Sequence, residues 1–168
     1  MLKRKIDRYI QDFYASTRKA LLITGARQTG KTFSIRQFGR SFKSFIEINF
    51  VENPEAAEAI RSAKNSSDLM LQLSALTSKP LIAGNTLIFF DEVQACSEAR
   101  TAIKFLVEDG RFDYIESGSL LGVHYKEVPS YPVGFEELQH MYPMDFEEFL
   151  WANGVQSQTI AYLEECME

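Results

Sequence analysis

The stretch that decides the fold is GARQTGKT, which runs from Gly25 to Thr32. It matches the pattern G-x-x-x-x-G-K-[ST] at every specified position, which is the pattern of a loop that cradles phosphates. The residues before it, Ala20 to Thr24, are mostly apolar and predict a buried β-strand. The residues after it, Lys31 to Arg40, place apolar side chains at helical spacing. We therefore expect a strand, a phosphate-binding loop (P-loop) and a helix, in that order.

The residue types of the P-loop suit a nucleotide with its metal. Glycine at both ends of the loop allows backbone angles that turn successive N–H groups towards a phosphate. The helix that begins near Lys31 adds the positive end of its dipole, and Lys31 adds a mobile charge for catalysis at the β and γ phosphates. The Thr32 hydroxyl is suited to Mg²⁺. The expected nucleotide-binding residues are Gly25, Ala26, Arg27, Gln28, Thr29, Gly30, Lys31 and Thr32.

A second informative stretch is LIFFDE, in which the apolar run 87–90 is followed by Asp91 and Glu92. It predicts a buried parallel strand with carboxylates at its C-terminal end, where ligands bind in open α/β sheets. We expect Asp91 to hold Mg²⁺ through water. We expect Glu92 to be catalytic, because it is placed to orient and deprotonate a water for attack on the γ-phosphorus. The alternative is an acidic pair that only begins a loop.

The rest of the chain alternates predicted strands with predicted helices. Further strands are predicted at 45–50, 112–117 and 137–141, and further helices at 3–16, 54–60, 67–76, 98–109, 144–151 and 158–168. Residues 125–131 are predicted to be a loop. This alternation predicts an α/β fold, with a parallel sheet covered on both faces by helices.

The composition predicts an ordinary soluble protein. Of the 168 residues, 45% are hydrophobic and 24% are charged, which is usual for a globular domain. No run approaches the ~18 apolar residues that a membrane-spanning helix needs, so no membrane is expected as a partner. The basic N-terminus lacks the apolar core of a secretion signal, and we expect a cytoplasmic location. Cys96 and Cys166 are too few for a disulfide framework or a zinc site.

The net charge of −5 conceals an asymmetry between the two ends of the chain. From Met1 to Lys43 there are eleven Lys or Arg and two Asp, whereas from Glu127 to Glu168 there are nine Asp or Glu and no Lys or Arg. A basic end can serve nucleotide phosphates, a nucleic acid such as DNA, or the acidic end of the same chain. The charge pattern alone establishes neither a DNA partner nor a protein partner.

Four stretches together resemble a known group of proteins. GARQTGKT, LIFFDEVQ, the Ser117–Leu120 turn and MYPMDFEEFLWANG are similar to the AAA-superfamily P-loop ATPases of bacteria and archaea. More narrowly, they resemble the subgroup whose N-terminal ATPase domain is followed by a C-terminal domain of unknown function. This implies a three-layer α/β/α sandwich, with a mainly parallel five-stranded sheet and the P-loop strand at its centre. Residues 1–155 would form the ATPase domain, and residues 156–168 would begin a helical or linker segment of a longer chain.

The resemblance also implies that a polar residue at the end of the fourth strand senses the γ-phosphate. We assign this role to Ser119, with Ser117 as the alternative. The chain departs from the family after the Pro132–Gly134 segment, where Phe135 replaces a common basic residue, and no Lys or Arg follows Lys126. The charge that stabilises the transition state would then come from a neighbouring subunit of a homo-oligomer, from the C-terminal domain, or from no residue. We expect slow hydrolysis by the isolated chain.

The leading interpretation is an ATPase that uses ATP and Mg²⁺ to drive a conformational change in an attached domain or partner. One alternative is a nucleotide-dependent switch or binding module with negligible turnover. A P-loop kinase of small molecules is a weaker alternative, because the sequence contains no segment resembling an arginine-rich lid. A GTPase is disfavoured, since no Asn-Lys-x-Asp motif occurs.

Overall fold

The computed structural model describes residues 2–119 and 132–166. The helices are α1 (Lys5–Ser16), α2 (Lys31–Gly39), α3 (Pro54–Ser62), α4 (Ser66–Ala75), α5 (Ser97–Asp109), α6 (Phe146–Ala152) and α7 (Ser157–Glu165). The strands are β1 (Ala20–Gly25), β2 (Ser44–Asn49), β3 (Thr86–Asp91), β4 (Asp113–Ser119) and β5 (Glu136–His140). A 3₁₀ turn, Val93–Ala95, follows β3. The predicted loop at 125–131 lies outside the described residues.

The strands form one sheet in the order β2-β3-β4-β1-β5, and every neighbouring pair is parallel. The predicted five-stranded parallel sheet is confirmed. The prediction that the P-loop strand lies at the centre is wrong, because β4 holds the middle position and β1 lies between β4 and β5. Since all strands run the same way, the ends of β1, β3 and β4 meet at one edge of the sheet. The P-loop and the Asp91–Glu92 pair are therefore brought to the same edge.

Helices cover both faces of the sheet, which gives the predicted three-layer sandwich. Successive residues of β1 point to opposite faces, so Leu22 lies in one core and Leu21 in the other. The first core packs α3, α4 and α5 against the sheet, and the second packs α1 and α2. Among the described residues, no helix is both long enough and apolar enough to span a bilayer.

The burial of each strand follows its position in the sheet. All six residues of β1 and of β3 are buried, as expected for interior parallel strands. Along β2, an outermost strand, buried and partly exposed residues alternate, as the sequence pattern predicted. At the open side of β2, the Lys79 ammonium donates a 2.7 Å hydrogen bond to the main-chain carbonyl of Phe45.

Most boundaries differ from the sequence prediction by one or a few residues, and those of α4 are an example. Helix α4 begins one residue earlier, at Ser66, because the Asn65 side chain accepts a hydrogen bond from the Asp68 N–H at 2.9 Å and caps the helix. The same helix ends at Ala75, before the predicted stop near Pro80. In α7, Ile160 is buried, although the sequence showed no partner for that helix.

One charged cluster is buried under the sheet face that packs against α5. Arg100 of α5 forms an ion pair with Glu136 of β5, and both side chains are less than a tenth exposed. Glu116 of β4 is fully buried beside them, and neither of its carboxylate oxygens has a hydrogen-bond partner among the described residues. Burial and the nearby Glu136 charge raise the pKa of Glu116 well above its ordinary value, which Arg100 only partly offsets.

We predict that Glu116 makes the stability of the fold depend on pH. Because its pKa is raised in the folded state, its contribution is present in full below the unfolded pKa of 4.5 and is lost as pH rises through the folded pKa. Glu116→Gln removes the ionisation and keeps the size, so the variant should gain stability over the wild type as pH rises. Denaturant unfolding of both proteins across a pH series measures this, and parallel curves would contradict it.

Candidate nucleotide-binding site

The P-loop has the backbone conformation that its glycines predict. Gly30 has φ of +99° and Gln28 has φ of +63°, both in the left-handed region. Gly25 is required by a close approach, because a Cβ at this position would lie 2.2 Å from the main-chain oxygen of Met141. Met141 also donates its N–H to the Thr24 oxygen at 2.7 Å. The segment after β5 therefore packs directly against the base of the loop.

Lys31 contacts the P-loop itself. Its ammonium donates hydrogen bonds to the main-chain oxygens of Gly25 at 3.0 Å and Ala26 at 2.7 Å. Burial lowers the pKa of Lys31, and the charges of Glu92 and Asp91 oppose that shift. The charge thus lies against the loop, within electrostatic reach of the two carboxylates.

Asp91 is the centre of a polar cluster at the end of β3. One of its oxygens lies 3.5 Å from the Thr32 hydroxyl and 3.4 Å from the Asn49 amide nitrogen. Its other oxygen accepts hydrogen bonds from the Ser117 hydroxyl and from the Glu92 N–H. Burial raises the pKa of Asp91, while the hydrogen bond from Ser117 opposes this. Asn49 and Ser117 reach Asp91 because β2 and β4 flank β3.

Glu92 begins the turn after β3 in a strained backbone conformation. Its φ of +56° lies in the left-handed region, which costs a residue other than glycine about 1–3 kcal/mol. The Gln94 amide donates a hydrogen bond to Glu92 Oε2, and the carbonyl of that amide accepts the Ser119 N–H at 3.3 Å. The turn thus connects Glu92 to the end of β4.

These side chains line one open cleft of about 450 Å³. Its walls are Arg27, Gln28, Gly30, Lys31, Thr32, Phe33, Asp91, Glu92, Ser117 and Ser119. Ala26 and Thr29, also expected from the motif, are in the same loop, and the Thr29 hydroxyl donates to the Ala26 oxygen. All the residues that the sequence assigned to metal, nucleotide and catalysis are therefore close to one another.

The donor set fits Mg²⁺ carried by a nucleotide. Mg²⁺ takes oxygen ligands and commonly uses one or two protein groups together with phosphates and water. Thr32 and Asp91 supply such oxygens, 3.5 Å apart. Within residues 2–119 and 132–166, no group of three or more His, Cys, Asp or Glu is placed to hold a metal alone.

Sequence reasoning missed Arg4, which joins three parts of the site. Its guanidinium donates to the Thr29 oxygen of the P-loop at 2.8 Å and to the Tyr142 oxygen at 2.9 Å. It also forms an ion pair with Glu148 of α6 at 3.1 Å, in which both side chains are less than a tenth exposed. No sequence signal distinguishes this arginine from the other basic residues near the N-terminus or marks it as buried.

The acidic end of the chain pairs with the basic end. Lys5 contacts Asp145 at 2.7 Å and Glu147 at 2.6 Å, and these carboxylates raise its pKa. Lys3 lies 4.8 Å from the ring centre of Trp151. Part of the positive charge near the N-terminus is thus used within the molecule.

The parallel sheet, the P-loop after β1 and the Asp–Glu pair at the end of β3, with β4 between these two strands, define the fold of a P-loop ATPase. A family model described as an AAA domain matches residues 17–150. The chain therefore belongs to this AAA domain family. None of the curated proteins compared with it matches the sequence.

Two solved structures share the fold. The Walker-type ATPase PABY2304 of Pyrococcus abyssi superposes with a TM-score of 0.57 and 16% identity, over 88% of this chain and 55% of that protein. The Pif1 helicase of Candida albicans superposes with a TM-score of 0.53 and 11% identity, over 89% of this chain and 42% of that protein. At these identities the likeness is one of fold, and the chain spans about half the length of either protein.

We predict that Lys31→Ala abolishes stabilisation by ATP. A ligand that binds only the folded state adds about 2.7 kcal/mol of stability at 100 times its Kd, so loss of binding removes the shift in melting temperature. The measurement is the melting temperature with and without Mg²⁺ and ATP. Lys64→Ala, which removes an exposed lysine between α3 and α4, is the matched control. An unchanged shift in Lys31→Ala would show that the motif does not bind the nucleotide.

We also predict that Arg4→Met destabilises the fold strongly. Removing one partner of a buried ion pair typically costs about 3–5 kcal/mol, because the other charge stays buried. Arg8→Met is the control, since Arg8 pairs with Asp12 on the exposed face of α1, and such pairs contribute about 0.3–0.5 kcal/mol. Denaturant unfolding compares the two variants. If both variants lost the same free energy of unfolding, Arg4 would stabilise the fold no more than an exposed ion pair does.

Proposed function

We propose that this domain binds Mg²⁺–ATP in the P-loop cleft and hydrolyses it, and that hydrolysis drives a conformational change in an attached domain or partner. The observation that carries the proposal is the convergence of Lys31, Thr32, Asp91 and Glu92 on one cleft. A nucleotide-binding loop alone would need no carboxylate pair at the end of β3, which is separated from the P-loop strand by β4. Its membership of the AAA domain family supports the same class of activity.

The binding roles follow from charge and geometry. The P-loop N–H groups and the N-terminus of α2 hold the phosphates, and Lys31 exchanges its loop carbonyls for the β and γ oxygens. Thr32 and Asp91 would hold Mg²⁺, which would supply positive charge next to the phosphates. Asn49 and Ser117 orient Asp91 through the contacts described above.

Glu92 acts on the water. Its carboxylate accepts a proton as the water oxygen attacks the γ-phosphorus, and the bond to the bridging oxygen breaks to leave ADP. Ser117 and Ser119 both line the cleft, and the Ser117 hydroxyl donates to Asp91. We assign the contact with the γ-phosphate to Ser119, at the end of β4, with Ser117 as the alternative.

A second cleft gives room for the base of the nucleotide. It has a volume of about 600 Å³ and adjoins the P-loop on the side of α1. Leu2, Phe33, Pro143 and Met144 supply apolar walls, which suit a flat aromatic base. We assign the adenine of ATP to this cleft.

The proposal also includes the domain or subunit that responds to hydrolysis. Residues 156–168 would lead into a C-terminal domain, and a second copy of the chain in a homo-oligomer would supply a basic residue to the γ-phosphate. A switch with negligible turnover is the second candidate, favoured by the absence of Lys or Arg after Lys126. A DNA or protein partner would contact basic side chains that do not already pair with the acidic C-terminal part of the chain.

We predict that the two carboxylates fail in different ways when neutralised. Glu92→Gln should keep ATP affinity and lose hydrolysis by about 10²–10⁴-fold, the usual contribution of a general base. Asp91→Asn should weaken ATP binding in Mg²⁺ and change it little in EDTA, since its role is with the metal. Nucleotide affinity and single-turnover rate are measured for both variants.

The matched control for the acidic variants is Glu58→Gln, which neutralises an exposed carboxylate on α3. It should leave both affinity and rate unchanged. Hydrolysis at the wild-type rate by Glu92→Gln would show that another residue activates the water, and the proposed mechanism would fail.

A further inference from the structure

The Gln94 side chain contacts both the Glu92 carboxylate and the end of β4. Its amide nitrogen donates to Glu92 Oε2, and its amide oxygen accepts the Ser119 N–H at 3.3 Å. The orientation of the amide follows from these partners, because an N–H can only donate and an ionised carboxylate can only accept. Both the nitrogen and the oxygen of the Gln94 amide therefore have a hydrogen-bond partner.

The contact exists because of the turn after β3. Glu92 occupies a left-handed backbone position, and the 3₁₀ turn that follows is closed by the Ala95 N–H on the Glu92 oxygen at 2.8 Å. This reversal places the side chain two residues later beside the carboxylate. In a regular strand the side chains of residues 92 and 94 would also lie on the same face, but they would be farther apart in space.

We propose that Gln94 is a positioning residue that fixes the Glu92 carboxylate for its action on water and links it to the γ-phosphate sensor. This inference rests on the proposed function. A glutamate side chain without contacts samples several rotamers, and the hydrogen bond from Gln94 restricts Glu92. With Oε2 held by Gln94, Oε1 is the oxygen that accepts the proton of the water.

The link to Ser119 gives the contact a further consequence. The Ser119 N–H is bound to the same amide that holds Glu92, so Gln94 joins the end of β4 to the base. Gln94 acts on the chemical step and not on binding, because its two contacts are to the protein.

The experiment compares single-turnover hydrolysis and ATP affinity in the whole chain. Gln94→Met keeps the length of the side chain and removes both hydrogen bonds. Its rate should fall by about 10- to 100-fold, since a displacement of about 1 Å in a reacting group can cost 10²-fold. ATP affinity and melting temperature should match those of Gln158→Met, a control at an exposed glutamine of α7.

Two further variants separate a positioning role from a structural one. Gln94→Glu keeps an acceptor for the Ser119 N–H but loses the donor to Glu92, so its rate should also fall. In a Glu92→Gln background, Gln94→Met should cause no additional loss, because the residue acts through Glu92.

The outcomes distinguish this inference from the function on which it rests. A wild-type rate in Gln94→Met, or a faster one, overturns the positioning role while an inactive Glu92→Gln still supports the ATPase. Equal losses from Gln94→Met in both backgrounds, or a parallel loss of affinity and melting temperature, overturn it too. A wild-type rate in Glu92→Gln overturns the proposed mechanism, and the inference with it.

Discussion

The site depends on how closely the segment after β5 lies against the start of the P-loop. The Met141 oxygen occupies the space that any side chain at Gly25 would need, and the Met141 N–H holds the strand just before the loop. Arg4 extends this contact by joining the loop to α6. The loop is thus supported from behind, so its N–H groups are free to face a ligand. The segment after β5 therefore has a physical role as this support.

Much of the fold could be predicted from local pattern. The apolar run before Gly25 and the run before Asp91 predicted buried strands because parallel interior strands bury both faces. The order of the strands could not be read this way, since order is decided by which helices cross which face. The P-loop strand therefore proved to be off-centre. The cap at Asn65 was missed because the two serines that follow it, Ser66 and Ser67, offer equally good sequence signals.

The sequence could place the candidate site residues near one another where they lie in contiguous motifs. Lys31, Asp91 and Glu92 meet because the parallel topology brings strand ends together. Gln94 and Arg4 were missed for a different reason. Their roles come from contacts across the chain or across a left-handed turn, and neither a lone glutamine nor one more basic residue near the N-terminus has a distinctive sequence signal.

The Lys79 ammonium donates a hydrogen bond to the Phe45 carbonyl, and this contact affects how β2 meets other protein molecules in a concentrated solution. An outermost strand offers main-chain groups to any extended peptide, and growth of the sheet between molecules begins there. By occupying one of those carbonyls and placing a charge beside it, Lys79 hinders a second chain from pairing with β2. A single surface lysine thus protects the domain against aggregation, although it contributes nothing to the nucleotide cleft.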